Sequence, residues 1–273
     1  MGCLSLFSAV LLGIIQGLTE FLPVSSSGHL VLFSSLLNLQ QSSIVFEVLV
    51  HVGTLGAVLV VFWGEFVEMV QGFLKLIRSP SRWRELYDSD AGCRLFIWLV
   101  VGTLPAVAAA LLLNDQVERA FSNTRLVGGT LILTGLILFL ADRASRRTQG
   151  RSQTIADSLW VGIGQAAALL PGISRSGTTI ACGLARGLSR EQAARFSFLL
   201  SIPSIFGALV YSLPDLAKGR TPASTGVLLA GMLAAALTGY LAIRMLLAVI
   251  RGGRLVWFSY YTWFVGLLVL IFA

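Results

Sequence analysis

Long stretches without a single charged residue constrain this chain more than any other feature. Uncharged runs cover residues 1–19, 95–113, 196–214, 221–243 and 255–273. At 1.5 Å per residue, each is long enough as a helix to cross a hydrocarbon core of about 30 Å. Only 12% of the residues are charged, against about a quarter in a soluble domain, and the mean hydropathy is +0.83. The chain reads as an integral membrane protein. A membrane barrel would alternate polarity over roughly ten-residue segments, and runs such as LLGII and LILTGLILFLA do not alternate. The fold class expected is all-α, a polytopic helical bundle.

The first run has no basic n-region, and its apolar pattern continues through Gln16, Glu20 and Pro23 without a cleavage site, so it reads as part of the bundle and not as a signal peptide. Cys3, Cys93 and Cys182 stand far apart without CxxC spacing, which suggests packing residues and neither a disulfide framework nor a zinc site. The net charge of +7 sits in short segments between apolar runs, where loop topology explains it better than nucleic-acid binding.

The chain repeats itself. A shift of 149 residues pairs Gly13 with Gly162, Ile14 with Ile163, Gln16 with Gln165, Ser25 with Ser174, Ser27 with Ser176 and Gly28 with Gly177. In each half an apolar helix breaks near a proline, Pro23 or Pro171, passes a Ser/Gly-rich turn and restarts. The pieces at 158–172 and 176–186 are too short to span, so each half is predicted to open with a re-entrant hairpin. Three spans would then follow in each half, near 45–66, 95–113, 125–141, 196–213, 225–244 and 256–272. Residues 1–150 and 151–273 are thus expected to form two repeats of inverted topology.

Charge supports that layout. Fifteen of the twenty basic residues fall at 75–94, 143–151, 186–195 and 244–254, all on one side. Arg119, Arg125, Lys218 and Arg220 fall on the other, with Arg175 left inside the second break. The asymmetry assigns the basic side to the cytoplasm and both termini to the outside.

Ionisable groups at membrane depth default to function. Gln16 and Glu20 lie one turn apart on one helix face; His29 lies a turn into the helix that follows Ser25, Ser26 and Ser27. In the second break, PGISRSGTT, Arg175 is flanked by Ser174, Ser176, Gly177, Thr178 and Thr179 at a helix start whose free amides attract anions. Two half-helix starts and one arginine suit a phosphate; pairing of Arg175 with Glu20 in the empty state is the structural alternative. Glu47 and His51, one turn apart, are placed either at the entrance to the site or in a plain interfacial role. Gly13 and Gly17 have GxxxG-like spacing, which serves packing within a chain as well as between copies, so a homo-oligomer finds no support in the sequence.

At these residues the chain resembles the undecaprenyl-diphosphate phosphatase family, also called the bacitracin-resistance or BacA/UppP family. Its (E/Q)xxxE signature reads Gln16-Gly-Leu-Thr-Glu20 and continues into FLPVSSSGH; its PGxSRSxxT signature reads PGISRSGTT. The resemblance implies removal of the terminal phosphate from a polyprenyl diphosphate lipid, undecaprenyl diphosphate, in the bacterial cytoplasmic membrane. It carries catalytic roles onto Gln16, Glu20, Ser26, His29, Ser174, Arg175, Ser176 and Thr179, and a divalent cation, Mg or Ca. Gln16 stands where many members have Glu, so the cation is expected on Glu20 and the substrate diphosphate. For the nucleophile the expectation is Ser26 deprotonated by His29, with direct attack by His29, or attack by water with Glu20 as base, left open. Inverted repeats with broken helices also build transporters, so a lipid-phosphate flippase is the competing class.

Overall fold

A computed structural model describes residues 4–36, 44–145, 150–218 and 223–272, all of whose regular elements are helical. Cys3, Arg146, Arg147 and Arg220 lie outside the described residues. The first half comprises α1 (Leu6–Phe21), α2 (Ser26–Leu36), α3 (Ile44–Val61), α4 (Trp63–Arg78), α5 (Trp83–Ser89), α6 (Ala91–Leu112), α7 (Asn114–Phe121) and α8 (Thr124–Ser145). The second comprises α9 (Ile155–Ala167), α10 (Arg175–Ala185), α11 (Arg190–Lys218), α12 (Thr225–Arg251) and α13 (Val256–Phe272).

Helices α6, α8, α11 and α12 are each long and apolar enough to cross a membrane, and α13 is apolar but shorter, at 17 residues. The chain is a multi-pass membrane protein. The span expected at 45–66 ends earlier: after Val61 the chain turns by 90° into α4. That helix is amphipathic, and its Gly72 lies against the backbone of Gly92 and Cys93 with no room for a side chain. The second break also begins earlier than its proline, since α9 stops at Ala167 and Gly172 takes φ +87°.

Each hairpin packs across the molecule. Helix α1 lies chiefly on α12, and α9 on α6. Gly13 and Gly17 face the backbone of α12 at Gly231 and Ala235, and Gly162 faces Gly102 of α6. The GxxxG-like spacing is thus used within the chain.

The helix ends that carry most of the arginines gather at one end of the bundle. Asp157, fully buried, accepts from Arg151 at 2.6 and 2.8 Å and from Arg186 at 2.8 Å, which closes the base of the α9/α10 hairpin. Arg195 reaches Glu65 and Glu191, Arg251 reaches Glu191, and Arg190 reaches Asp142. At the same end Asp90 caps α6 by accepting from the Cys93 amide at 2.9 Å and pairs with Lys75. The Lys75 hydrogen bond, aided by that amide, holds the Asp90 carboxyl down from 3.8 to about 2. A depressed carboxylate stabilises above its ordinary pKa and stops doing so as pH falls through the lowered one. Asp90→Ala is therefore expected to cost about 1 kcal/mol near neutrality, the usual worth of such a cap. That difference should vanish between about pH 4 and pH 2 when melting of both proteins is followed in detergent.

Candidate functional site

The two hairpin tips meet inside the bundle, and the same local chemistry builds both. Ser25 Oγ accepts from the Gly28 amide at 3.3 Å and lies 3.3 Å from Ser27 Oγ. Ser174 Oγ accepts from the Gly177 amide at 3.1 Å and lies 3.2 Å from Ser176 Oγ. These are positions that the shift of 149 residues pairs. The serine caps satisfy amides that a buried helix start would otherwise leave bare. Close approach of the tips depends on glycine: a side chain on Gly28 would meet Gly172 at 3.3 Å, and one on Gly177 would meet Pro23 at 3.2 Å. Ser176 Oγ also crosses the contact, donating to the Leu22 carbonyl at 3.1 Å.

Helix α8 holds the second tip in place. Thr130 Oγ1 donates to the Pro171 carbonyl at 2.6 Å, while Thr134 Oγ1 donates to the Gly172 carbonyl at 2.9 Å and accepts from the Ser174 amide at 3.1 Å. Neither threonine was singled out from the sequence. Their only signal is a pair of polar residues four apart on an apolar helix, a pattern that ordinary back-bonding also produces.

Where the tips touch, Glu20 is the centre. One carboxylate oxygen pairs with Arg175 Nη2 across the two halves. The other accepts from Ser26 Oγ at 2.6 Å and from Gln16 Nε2 at 2.9 Å, with His51 Nε2 at 3.8 Å. Arg175 and Glu20 thus form the ion pair that was the structural alternative to an arginine facing a phosphate. Arg175 starts α10, so its guanidinium and the first amides of that helix belong to one electropositive end.

His29 is placed differently from expectation. The structure does not pair it with Ser26: its Nδ1 lies 2.8 Å from the Ser25 carbonyl and its Nε2 lies 2.8 Å from the Tyr261 hydroxyl on α13. The side chain that accepts from Ser26 Oγ is the Glu20 carboxylate. Tyr261 came from a distant apolar helix and had no signal in the sequence.

The remaining residues divide. Thr179 Oγ1 is bound to the Arg175 carbonyl at 2.8 Å and to Ser197 Oγ at 2.6 Å, a supporting arrangement. Thr178 Oγ1 is buried with no partner among the described residues. Glu47 and His51 line a cavity of about 180 Å³ between α3 and α11, together with Ile205, Leu209 and Ser212. His51, on the wall of that cavity, also lies 3.8 Å from Glu20.

A carboxylate hydrogen-bonded to a serine, an arginine beside it and two capped helix starts are groups able to serve phosphoryl chemistry. Comparison with known proteins gives the family. The family model described as Bacitracin resistance protein BacA matches residues 9–268. The chain belongs to the BacA family. Among BacA-like relatives, a protein of Methanobrevibacter smithii named Undecaprenyl-diphosphatase is 43% identical over 97% of both chains. One of Carboxydothermus hydrogenoformans with the same name is 42% identical over 97% of this chain and 96% of its own. Another, from Methanosphaera stadtmanae, is 39% identical over 99% of both.

Proposed function

We propose that this protein is a membrane phosphatase that hydrolyses undecaprenyl diphosphate to undecaprenyl phosphate and inorganic phosphate. It thereby recycles the lipid carrier for cell-wall synthesis and confers bacitracin resistance. The observation that carries this reading is the 2.6 Å hydrogen bond from Ser26 Oγ to Glu20, whose other oxygen is held by Arg175. A carrier would need the arginine and the helix dipoles, but it has little use for a nucleophile seated on a base. The names of the full-length relatives support the same substrate.

In this reading Glu20 takes the Ser26 proton as Oγ attacks the terminal phosphorus, and the bond to the bridging oxygen breaks, releasing the lipid monophosphate. Arg175 and the α10 amides neutralise charge on the transferred group. Glu20 passes the Ser26 proton to the departing lipid phosphate, and as a carboxylate again it takes a proton from the water that hydrolyses the phosphoserine to Ser26 and inorganic phosphate. Among the described residues no three His, Cys, Asp or Glu side chains are grouped to cage a metal. Gln16 Oε1, however, is buried beside Glu20 without a partner among the described residues, and hard oxygen donors of this kind suit Mg or Ca. Gln16 and Glu20 would hold such a cation, whose chemistry is to offset diphosphate charge. The positive-inside rule sets the arginine-rich end in the cytoplasm, with both termini and the mouth at Glu47 outside. The two halves are read as inverted repeats, a reading that the reciprocal packing of α1 on α12 and α9 on α6 supports.

The test is phosphate release by the purified protein from a long polyprenyl diphosphate in detergent. Wild type should release phosphate, and Ser26→Ala should retain under about 1% of the rate, the loss expected when a nucleophile is removed. Chelator should lower the wild-type rate and added Mg restore it. Wild-type protein that binds the lipid and releases nothing would make it a carrier, and an active Ser26→Ala would transfer the attack to water or His29.

A further inference from the structure

Ser25 is the single non-glycine residue at positive φ among the described residues, at +72°, immediately before the proposed nucleophile. A serine in that region is strained, and strain of this kind persists only where surrounding contacts hold it. The contacts are visible. The Ser25 carbonyl accepts from the His29 amide at 3.2 Å and lies 2.8 Å from His29 Nδ1. A carbonyl only accepts, so Nδ1 carries a proton, and in the neutral ring Nε2 is then an acceptor. That nitrogen lies 2.8 Å from the Tyr261 hydroxyl, which donates to it in this tautomer. The two rings are parallel to within 7°, with centroids 5.6 Å apart. His29 is buried at 3% exposure, so neither of its ring nitrogens is exchanged for water at the surface.

We infer that Tyr261 is a positioning residue for the reaction: acting through His29, it ties the strained Ser25 turn to α13 and so holds Ser26 Oγ on Glu20. The inference rests on the phosphatase reading for its kinetic part and on geometry alone for the tether. It gives His29 a role other than proton abstraction from Ser26. It also explains why a residue 232 positions away in sequence reaches the first hairpin tip.

The experiment combines kinetics with a spectroscopic readout. Tyr261→Phe keeps the ring and removes the donor; it is expected to lower kcat about tenfold with KM changed less than twofold, about the worth of one hydrogen bond. Ser25→Gly makes the positive φ free of strain, so in that background the Tyr261→Phe loss should shrink to under about twofold. A native rate for Tyr261→Phe, or an undiminished loss beside Ser25→Gly, overturns the inference. With only two histidines in the chain, nitrogen-15 labelling of histidine resolves the ring of His29, assigned by His29→Gln. Wild type should show it neutral, protonated on Nδ1, with a hydrogen-bonded Nε2 whose resonance moves in Tyr261→Phe. A ring protonated on Nε2, or a resonance indifferent to Tyr261→Phe, rules out the tether even if phosphate release is never observed.

Discussion

Glu20→Gln is expected to cut phosphate release by about a thousandfold, within the 10²–10⁴ range typical of a lost general base plus a misplaced partner. The amide is nearly the same shape, but Ser26 and Arg175 sit on different carboxylate oxygens, so its single oxygen accepts from only one of them, and it cannot take the Ser26 proton. The variant also leaves Arg175, only 18% exposed at its side chain, without its counter-charge. Removing one partner of a buried pair costs about 3–5 kcal/mol when the other is left charged; partial exposure of Arg175 reduces that to about 1–3 kcal/mol here. The empty variant should therefore melt lower than wild type, and inorganic phosphate or diphosphate should raise its melting temperature more than that of wild type, because the anion replaces the missing carboxylate. Turnover measured beside melting with and without phosphate checks both halves. A Glu20→Gln enzyme at near-native rate would remove Glu20 from the proton transfer.

Gly172→Ala is the second large effect. Its φ of +87° is unfavourable for any L side chain, and the new methyl would run into Thr130 Oγ1 and come within 2.7 Å of the Val127 carbonyl. Both obstacles belong to α8, the helix that positions the tip, so neither gives way without moving Ser174 and Arg175. The cost is about 2–4 kcal/mol from backbone strain and overpacking together, and activity should fall at least a hundredfold even in the folded fraction. Gly56→Ala is the matched control. Nothing lies within 4 Å of its added methyl, and an alanine in a helix is worth up to about 1 kcal/mol over glycine. Thermal melting of the two variants in detergent separates them; equal stability would mean that the tip is looser than its contacts indicate.

Much of this architecture was legible because bilayer thickness fixes the length of an apolar helix, and because proline with Ser/Gly-rich turns marks where helices stop. The excursion through α4 and α5 was not, since the bend after Val61 joins an apolar helix to an amphipathic one without a proline, and a lone glycine such as Gly64 is common inside apolar helices. At the site, Glu20, Ser26 and Arg175 stood out as polar groups in apolar context. Which of them touch was not legible, because the Ser26 and His29 spacing of one helical turn suggested a partnership that the side-chain directions do not make. Tyr261, Thr130 and Thr134 come from helices whose sequences carry no trace of what they face; only the tertiary packing brings them in.

The crossing of each hairpin onto the opposite half has a consequence for how the molecule is made. Helix α1 has its main partner in α12, so the first hairpin is without that partner until the ribosome has added the chain from Phe21 to Arg251. At 5–20 residues per second that wait is roughly 10–50 s. For that interval the residues of the first hairpin tip are without the surface they are shaped to meet. Assembly of the site is therefore a late event in biogenesis, completed by the last two helices, α12 and then α13 with Tyr261, and not by the segment that carries Glu20 and Ser26.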